Sequence, residues 1–369
     1  MRIFLTSDLH LGMKFAGYPG VQAELSEARF KALGRLVAQA NEHHADLFVV
    51  AGDLFDRVTI ARRDIVRAAQ MLKDFQGRLV AILPGNHDFI SRGQTDLWTG
   101  FKEHAGDRVL LLQEEKIYSL LHYDLDVHVY PAPCSAKHSN RNGVGWIKEA
   151  AQDRAIPCHL GIAHGSLEGF SPDFEEQYYP MTAAELSGCG LDLWLMGHTH
   201  SQYPLRPGEQ DRIFYPGTPE PDGFDCSHEG KAWFLDLSET QVVHALSLST
   251  GTYWFTHDEA EVRNPGDFEA LRKKYEPPEY RKTLLKMKLT GKLPGELYRT
   301  LTELHKKIEE LLFYLAWDES NVSEEITVEG IRREFTEGSF PYALLTALAQ
   351  SGDSEALQIA HEILQEERR

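Results

Sequence analysis

Cysteine is scarce in this chain. Four residues (Cys134, Cys158, Cys189, Cys226) are spread through 369 positions, and none is spaced Cys-x-x-Cys. That excludes a disulfide scaffold or a zinc ribbon and predicts reduced thiols. Long apolar runs are missing as well. None approaches the ~20 residues a membrane-spanning helix needs, and the N-terminus passes directly into a strand-like run without a signal-type segment. The expectation is a cytoplasmic protein with no membrane attachment. Basic charge is also in deficit, with 38 Lys and Arg against 56 Asp and Glu and a net charge of −18. Such a total bears on solubility and steering, and a local basic patch can oppose it. What is plentiful is apolar content, 42% of residues, in a chain long enough for a main domain and at least one smaller one.

Five short polar signatures punctuate the first 200 residues. They are Asp8-Leu9-His10, Gly52-Asp53-Leu54-Phe55-Asp56-Arg57, Gly85-Asn86-His87-Asp88, Ala163-His164-Gly165 and Gly197-His198-Thr199-His200. Each follows an apolar run that reads as a buried strand: Ile3-Phe4-Leu5, Leu47-Phe48-Val49-Val50, Leu79-Val80-Ala81-Ile82-Leu83, Leu160-Gly161-Ile162 and Leu193-Trp194-Leu195-Met196. Side chains at the carboxyl ends of neighbouring strands converge on one crevice. Carboxylate, amide oxygen and neutral imidazole suit hard or borderline divalent cations. Two ions ~3.5–4 Å apart, bridged by one carboxylate such as Asp53, would activate a shared water and clamp the phosphoryl oxygens of a diester. Single histidines at strand ends are usually hydrogen-bonded core residues. That reading would have to hold for all five signatures at once, whereas His43, His44, His122, His128, His138 and His159 fit no ligand position. Asp88 reads as the anchor of its own turn.

In order and spacing the signatures resemble the calcineurin-like metallophosphoesterase superfamily, and most of all its SbcD-type DNA-repair nucleases. The resemblance covers about residues 1–250. It implies one ion held by Asp8, His10, Asp53 and His200, and another by Asp53, Asn86, His164 and His198, with manganese the implied metal. His87 would be the catalytic imidazole, near the scissile phosphate but not a ligand. Asp56 has two readings. Its carboxylate pairs with His87 and fixes the tautomer, as in related phosphatases, or it caps the following helix. The resemblance further implies a homodimer, with Glu24–His43 and Asp64–Phe75 as candidate interface helices, and an SbcC-type coiled-coil ATPase as partner.

The organisation predicted is α/β. Helical spacing in Glu24–His43 and Ile60–Phe75 alternates with strands, and short strands dominate after His200. That suggests a two-sheet sandwich flanked by helices over residues 1–255. The turn Tyr215-Pro216-Gly217-Thr218-Pro219-Glu220 is read as structural. Punctuation between residues 249 and 266 separates a smaller α+β capping domain at 265–336 from the sandwich. Between Arg272 and Lys292 stand eight basic residues against two acids. Leu285, Lys286, Met287, Lys288 and Leu289 alternate as one strand that buries the apolar side chains and exposes the lysines. Lys286, Lys288, Arg281 and Lys282 are the candidate DNA contacts, the alternative being an ordinary solvated face. Leu297, Leu301, Leu304, Ile308, Leu311 and Leu315 form one helical stripe. Helices from about Tyr342 to Ala349 and Ser354 to Glu367 occupy a C-terminal segment, 337–369. Their apolar residues (Leu344, Leu345, Leu348, Leu357, Ile363, Leu364) either grip the partner or only complete the cap. Two functions stay open: a metal-dependent DNA exo- or endonuclease, or a small-substrate phosphodiesterase or phosphatase.

Overall fold

The apolar runs ahead of the polar signatures all fold as strands in the computed structural model, which describes residues 1–367 apart from 91–95, 151, 154, 174, 176, 209 and 239. The last two residues of the expected C-terminal segment lie outside this set. The chain divides into two units, Met1–Trp254 and Phe255–Arg369.

In the first unit the order is β1 (Arg2–Thr6), α1 (Gln22–Glu42), β2 (Leu47–Ala51), α2 (Arg62–Lys73), β3 (Leu79–Leu83), α3 (Asp96–Ala105), β4 (Val109–Leu111), β5 (Tyr118–Ser119) and β6 (Val127–Ala132). It continues with α4 (Gly145–Glu149), β7 (Cys158–His164), α5 (Ala183–Ser187), β8 (Leu193–Gly197), β9 (Ile213–Phe214), β10 (Lys231–Ser238) and β11 (Gln241–Ser249). One sheet runs β11-β10-β1-β2-β3-β4 and the other β5-β6-β7-β8-β9. β1 to β4 pair in parallel, as do β6 to β9.

Strands covered on both faces read as unbroken apolar runs, and the packing shows why. Phe4, Phe48, Val50, Val80 and Ile82 face the helices through Leu33, Leu36, Leu72 and Phe101. The alternate residues Ile3, Leu5, Leu47, Val49 and Leu79 meet Val127, Val129, Leu160, Ile162, Leu193 and Leu195 of the other sheet. The outer face of that second sheet is covered by Ile147 of α4 and Leu186 of α5. Burying each such side chain fully contributes ~1.5–3 kcal/mol, so the inter-sheet layer is a major source of stability. The two-sheet α/β sandwich read from the sequence is present. All four cysteines are free and buried.

The second unit holds β12 (Trp254–Glu261), α6 (Pro265–Tyr275), β13 (Thr283–Leu293), α7 (Gly295–Tyr298), α8 (Leu301–Glu309), β14 (Tyr314–Glu324), α9 (Val328–Glu334), α10 (Phe340–Ser351) and α11 (Ser354–Glu366). Its sheet order is β12-β13-β14, with β13 and β14 parallel. β12 occupies most of the interval the sequence reading left between domains. Leu285, Met287 and Leu289 are buried and Lys286 is exposed, as the alternation requires. The helical stripe ending in Leu315 needs correction. The helix stops at Glu309, and Leu315 enters the same apolar cluster from β14. A strand turning back onto the core satisfied a contact that the spacing had credited to a helix. Ile331, Phe335, Leu345 and Leu357 form a separate small cluster joining α9, α10 and α11. Among the described residues no helix is long and apolar enough to cross a membrane.

Candidate metal centre

Parallel strands deliver the polar signatures to one edge of the sandwich. Asp8 and His10 follow β1, Asp53 follows β2 and Asn86 follows β3, while His164 closes β7 and His198 and His200 follow β8. The turns are tight. Asp8, His10, Asp53 and His198 adopt left-handed φ values of 56°, 45°, 53° and 101°, a conformation that costs about 1–3 kcal/mol at a non-glycine residue and concentrates at functional sites. Glycine makes the crowding feasible at two points. A Cβ on Gly52 would lie 1.9 Å from His164 Nδ1, and one on Gly85 2.2 Å from Asp53 Oδ1.

The seven nominated ligands come together. Ligating atoms of Asp8, His10 and His200 lie within 4.8 Å of one another, and so do those of Asp8, Asp53 and His164. His10 Nε2 faces His200 Nε2 at 3.3 Å. Asp53 Oδ2 stands 3.2 Å from His164 Nε2 and 3.8 Å from His10 Nε2, between the two groups. Asn86 Oδ1 is 2.9 Å from His164 Nε2 and 3.3 Å from His198 Nδ1. Imidazole nitrogens that face one another and surround shared oxygens are a donor set that a cation satisfies, so the residues present fit two divalent ions.

The metal-free electrostatics agree. Burial disfavours charge on His164, but Asp53 outweighs it and holds the imidazole protonated up to about 9. Burial likewise opposes a charged His200, and Asp222 outweighs it, again up to about 9. His198 is pushed down to about 3 by burial and by the charge of His164. Burial drives His10 well below its usual range and raises Asp8. Burial would raise Asp53 too, but the attraction of His164 wins and its carboxyl stays low.

His87 borders this cluster. Its backbone N–H donates to Asp53 Oδ1 at 2.8 Å, and its ring lies edge-on to His10 with centroids 4.6 Å apart. The expected pairing of the Asp56 carboxylate with His87 is not formed. His87 Nδ1 instead meets the Asp56 backbone oxygen at 2.9 Å, while Asp56 Oδ2 takes Arg57 Nη2 at 2.5 Å and Nε at 2.9 Å. A neighbouring guanidinium offers the carboxylate two donors, and the loop presents its carbonyl to the imidazole. Asp56 does not cap α2 either, since the N-cap there is Ala61 without a side-chain bond. Asp88 anchors its turn, accepting from Gly85 N at 2.7 Å and Phe55 N at 3.0 Å.

Three contributors carry no signal in the sequence pattern that marked the candidate ligands. Thr218, in the Pro/Gly turn after β9, donates its hydroxyl to Asp8 O at 2.9 Å, and its N–H reaches His200 O at 3.1 Å. Asp222 lies 3.0 Å from His200 Nδ1, and Arg29 Nη2 lies 3.2 Å from Asp222. Arg29 was legible in principle, because it occupies a buried position of α1 among Leu25, Ala28, Ala32 and Leu33. No spacing rule points to Asp222.

The basic candidates sit in the second unit. Lys286 is exposed on β13, the central strand of its sheet, in register with Ala316 of β14. Lys288 reaches Glu259 of β12 at 3.5 Å and is in register with Asp318 of β14. Arg281 donates to the Glu310 carbonyl at 3.2 Å, and Lys282 is exposed on the turn before β13. Elsewhere in the island Arg272 engages Glu269 and Glu276, and Lys274 engages Asp258 at 2.5 Å. The surplus counted along the sequence is thus partly neutralised within the unit.

Comparison with known proteins places this geometry. The chain is 23% identical over 290 residues to an uncharacterized metallophosphoesterase, YhaO, of Bacillus subtilis, covering 73% of this chain and 68% of that protein. It is 24% identical over 264 residues to the DNA double-strand break repair protein Mre11 of Methanopyrus kandleri, covering 64% of this chain and about half, 53%, of the relative. The crystal structure of TT1561 of Thermus thermophilus aligns with a TM-score of 0.40 and 14% identity over 68% of this chain and 98% of that one. Residues 1–202 match the calcineurin-like phosphoesterase family. That segment is more than half of the chain and contains every one of the seven converging residues, and the chain belongs to the calcineurin-like phosphoesterase family.

Proposed function

We propose that this metallophosphoesterase is a two-metal DNA nuclease acting in double-strand-break repair beside an SbcC-type ATPase. The observation that carries the phosphodiester chemistry is the position of Asp53 Oδ2, between His164 at 3.2 Å and His10 at 3.8 Å. One cation would be held by Asp8, His10, Asp53 and His200 and the other by Asp53, Asn86, His164 and His198. Manganese is the metal favoured by the SbcD-type resemblance, although iron, zinc and magnesium also suit the donors. When bound, the ions polarise phosphoryl oxygens and lower the pKa of water. The chain's own contribution to proton transfer is His87. Its Nδ1–H is committed to the Asp56 carbonyl, which leaves Nε2 of the doubly protonated ring to give its proton to the leaving oxygen and afterwards to recover one from water. Asp56 therefore acts through its backbone.

DNA as the substrate is supported by the likeness to Mre11, which extends over more of the chain than the family segment, and by the exposed Lys286. Self-association, with α1 and α2 as the candidate interface helices, belongs to the same reading. A small-substrate phosphodiesterase is the second reading, favoured by the net charge of −18 and by the Lys288–Glu259 contact. Manganese-dependent digestion of 5′- and 3′-labelled duplex and single-stranded DNA, run beside bis(p-nitrophenyl) phosphate, separates the two. Turnover of the chromogenic diester with intact DNA would overturn the nuclease reading.

A further inference from the structure

We propose that Asp222, backed by Arg29, is a positioning residue for His200, and that it makes the Asp8–His10–His200 side of the centre hold its cation differently from the Asn86–His164–His198 side. The proposal rests on the ligand assignment above and deepens it.

Three imidazoles of the site are held through Nδ1. His164 meets the Ala51 carbonyl at 2.8 Å and His87 the Asp56 carbonyl at 2.9 Å. His200 alone of these meets a carboxylate, Asp222 Oδ2 at 3.0 Å. Either acceptor puts a proton on Nδ1 and turns Nε2 toward the centre, but a carboxylate adds a full charge. Such a partner orients the ring more stiffly and makes the opposite nitrogen a stronger donor to a metal.

A carboxylate only 11% exposed needs a counter-charge. Arg29 supplies it, with Nη2 at ion-pair distance, 3.2 Å, from the same Oδ2. The guanidinium is itself fully buried, a costly placement that an apolar residue on the core face of α1 would avoid. It also donates through Nη1 to the carbonyls of Leu9 at 2.7 Å and Asp8 at 3.3 Å. One charge network thus reaches Asp8 through the main chain and His200 through its ring. Among the described residues no carboxylate is bonded to Nδ1 of His164, which meets the neutral Ala51 carbonyl.

The test is calorimetric titration of Mn²⁺ into the full-length, chelator-stripped protein. Wild type should take two equivalents. In Asp222→Asn one equivalent should weaken by ~10–100-fold, the usual effect of losing a group that orients a ligand, while the other is unchanged. Equal weakening of both, or of neither, overturns the proposal. His200→Ala is the control for the underlying assignment. If it too keeps both equivalents unaltered, the ligand assignment and the proposal fail together. If His200→Ala weakens one site and Asp222→Asn does not, the proposal alone fails. Should Asp222→Asn not fold, wild type loaded with Zn²⁺ decides by ¹⁵N NMR. His200 should carry the metal on Nε2 and the proton on Nδ1, and the opposite tautomer overturns the proposal.

Discussion

Asp53 and His87 are joined by one hydrogen bond, yet their loss should read out differently. Asp53 faces both donor groups, so Asp53→Ala is expected to lose both ions and all activity. His87→Ala should keep metal binding and lose ~10²–10⁴-fold in turnover, the range for a placed proton donor. Metal titration beside single-turnover kinetics checks the division, and loss of metal from the His87 variant would contradict it. A second prediction concerns pH. His164 and His200 are held protonated up to about 9, against an ordinary 6.5. A raised value contributes stability in full below 6.5, and that contribution is lost as pH climbs toward 9. His10 and His198 shift downward and act below this window. The metal-free protein should therefore melt at progressively lower temperature between pH 6.5 and 9, while cation affinity rises because fewer protons must be displaced. Scanning calorimetry with and without Mn²⁺ measures both, and a flat melting profile for the metal-free form would contradict the assignment. The seven converging residues were legible because the chemistry that would suit a cation is written in residue type and glycine spacing. Asp222 was not, since its role exists only once the turn after β9 folds back on His200.

Secondary structure was most legible where burial is total. β1, β2, β3, β7 and β8 were apparent as apolar runs because both faces are covered, and their order fixed where the polar signatures would project. The second unit was harder to read. Lys286 and Lys288 alternate correctly on β13, but pairing with β12 and β14 is long-range, and only the fold sets Glu259 and Asp318 beside them. This sharpens the substrate prediction. If β13 contacts DNA, reversing Lys286 and Lys288 to Glu should lower the salt slope of log K by roughly 0.9 for each phosphate no longer neutralised, with hydrolysis of a small diester barely changed. Glu259→Gln should act in the opposite sense, freeing Lys288 and tightening DNA binding. Fluorescence anisotropy across a salt series measures both. An unchanged slope in the double reversal would favour the small-substrate reading.

At the scale of the whole molecule, the C-terminal end carries the partner prediction. Leu357 is buried against Ile331 and Leu345, so of the last helix's apolar residues it packs within the unit, whereas Phe340, Ile359 and Ile363 are exposed. Because α9 shares that small core, removing only 340–369 would strip Ile331 and Phe335 of their cover and should promote aggregation. Removing 326–369 takes the cluster as a unit. It should leave metal titration and diester hydrolysis intact while abolishing capture of the proposed SbcC-type ATPase. Retained capture would move the contact elsewhere. In the first unit, the candidate donors come from the carboxyl ends of strands in two different sheets: residues 8, 10, 53 and 86 from one, 164, 198 and 200 from the other. Ions held there would work as a cross-link, tying positions almost 200 residues apart and drawing on the same loop-closure entropy as a disulfide between distant cysteines. Chelation should then speed amide hydrogen exchange at the carboxyl ends of β1, β2, β7 and β8 while the strand middles stay protected. The atoms that would cut phosphodiesters would also fasten the two sheets together.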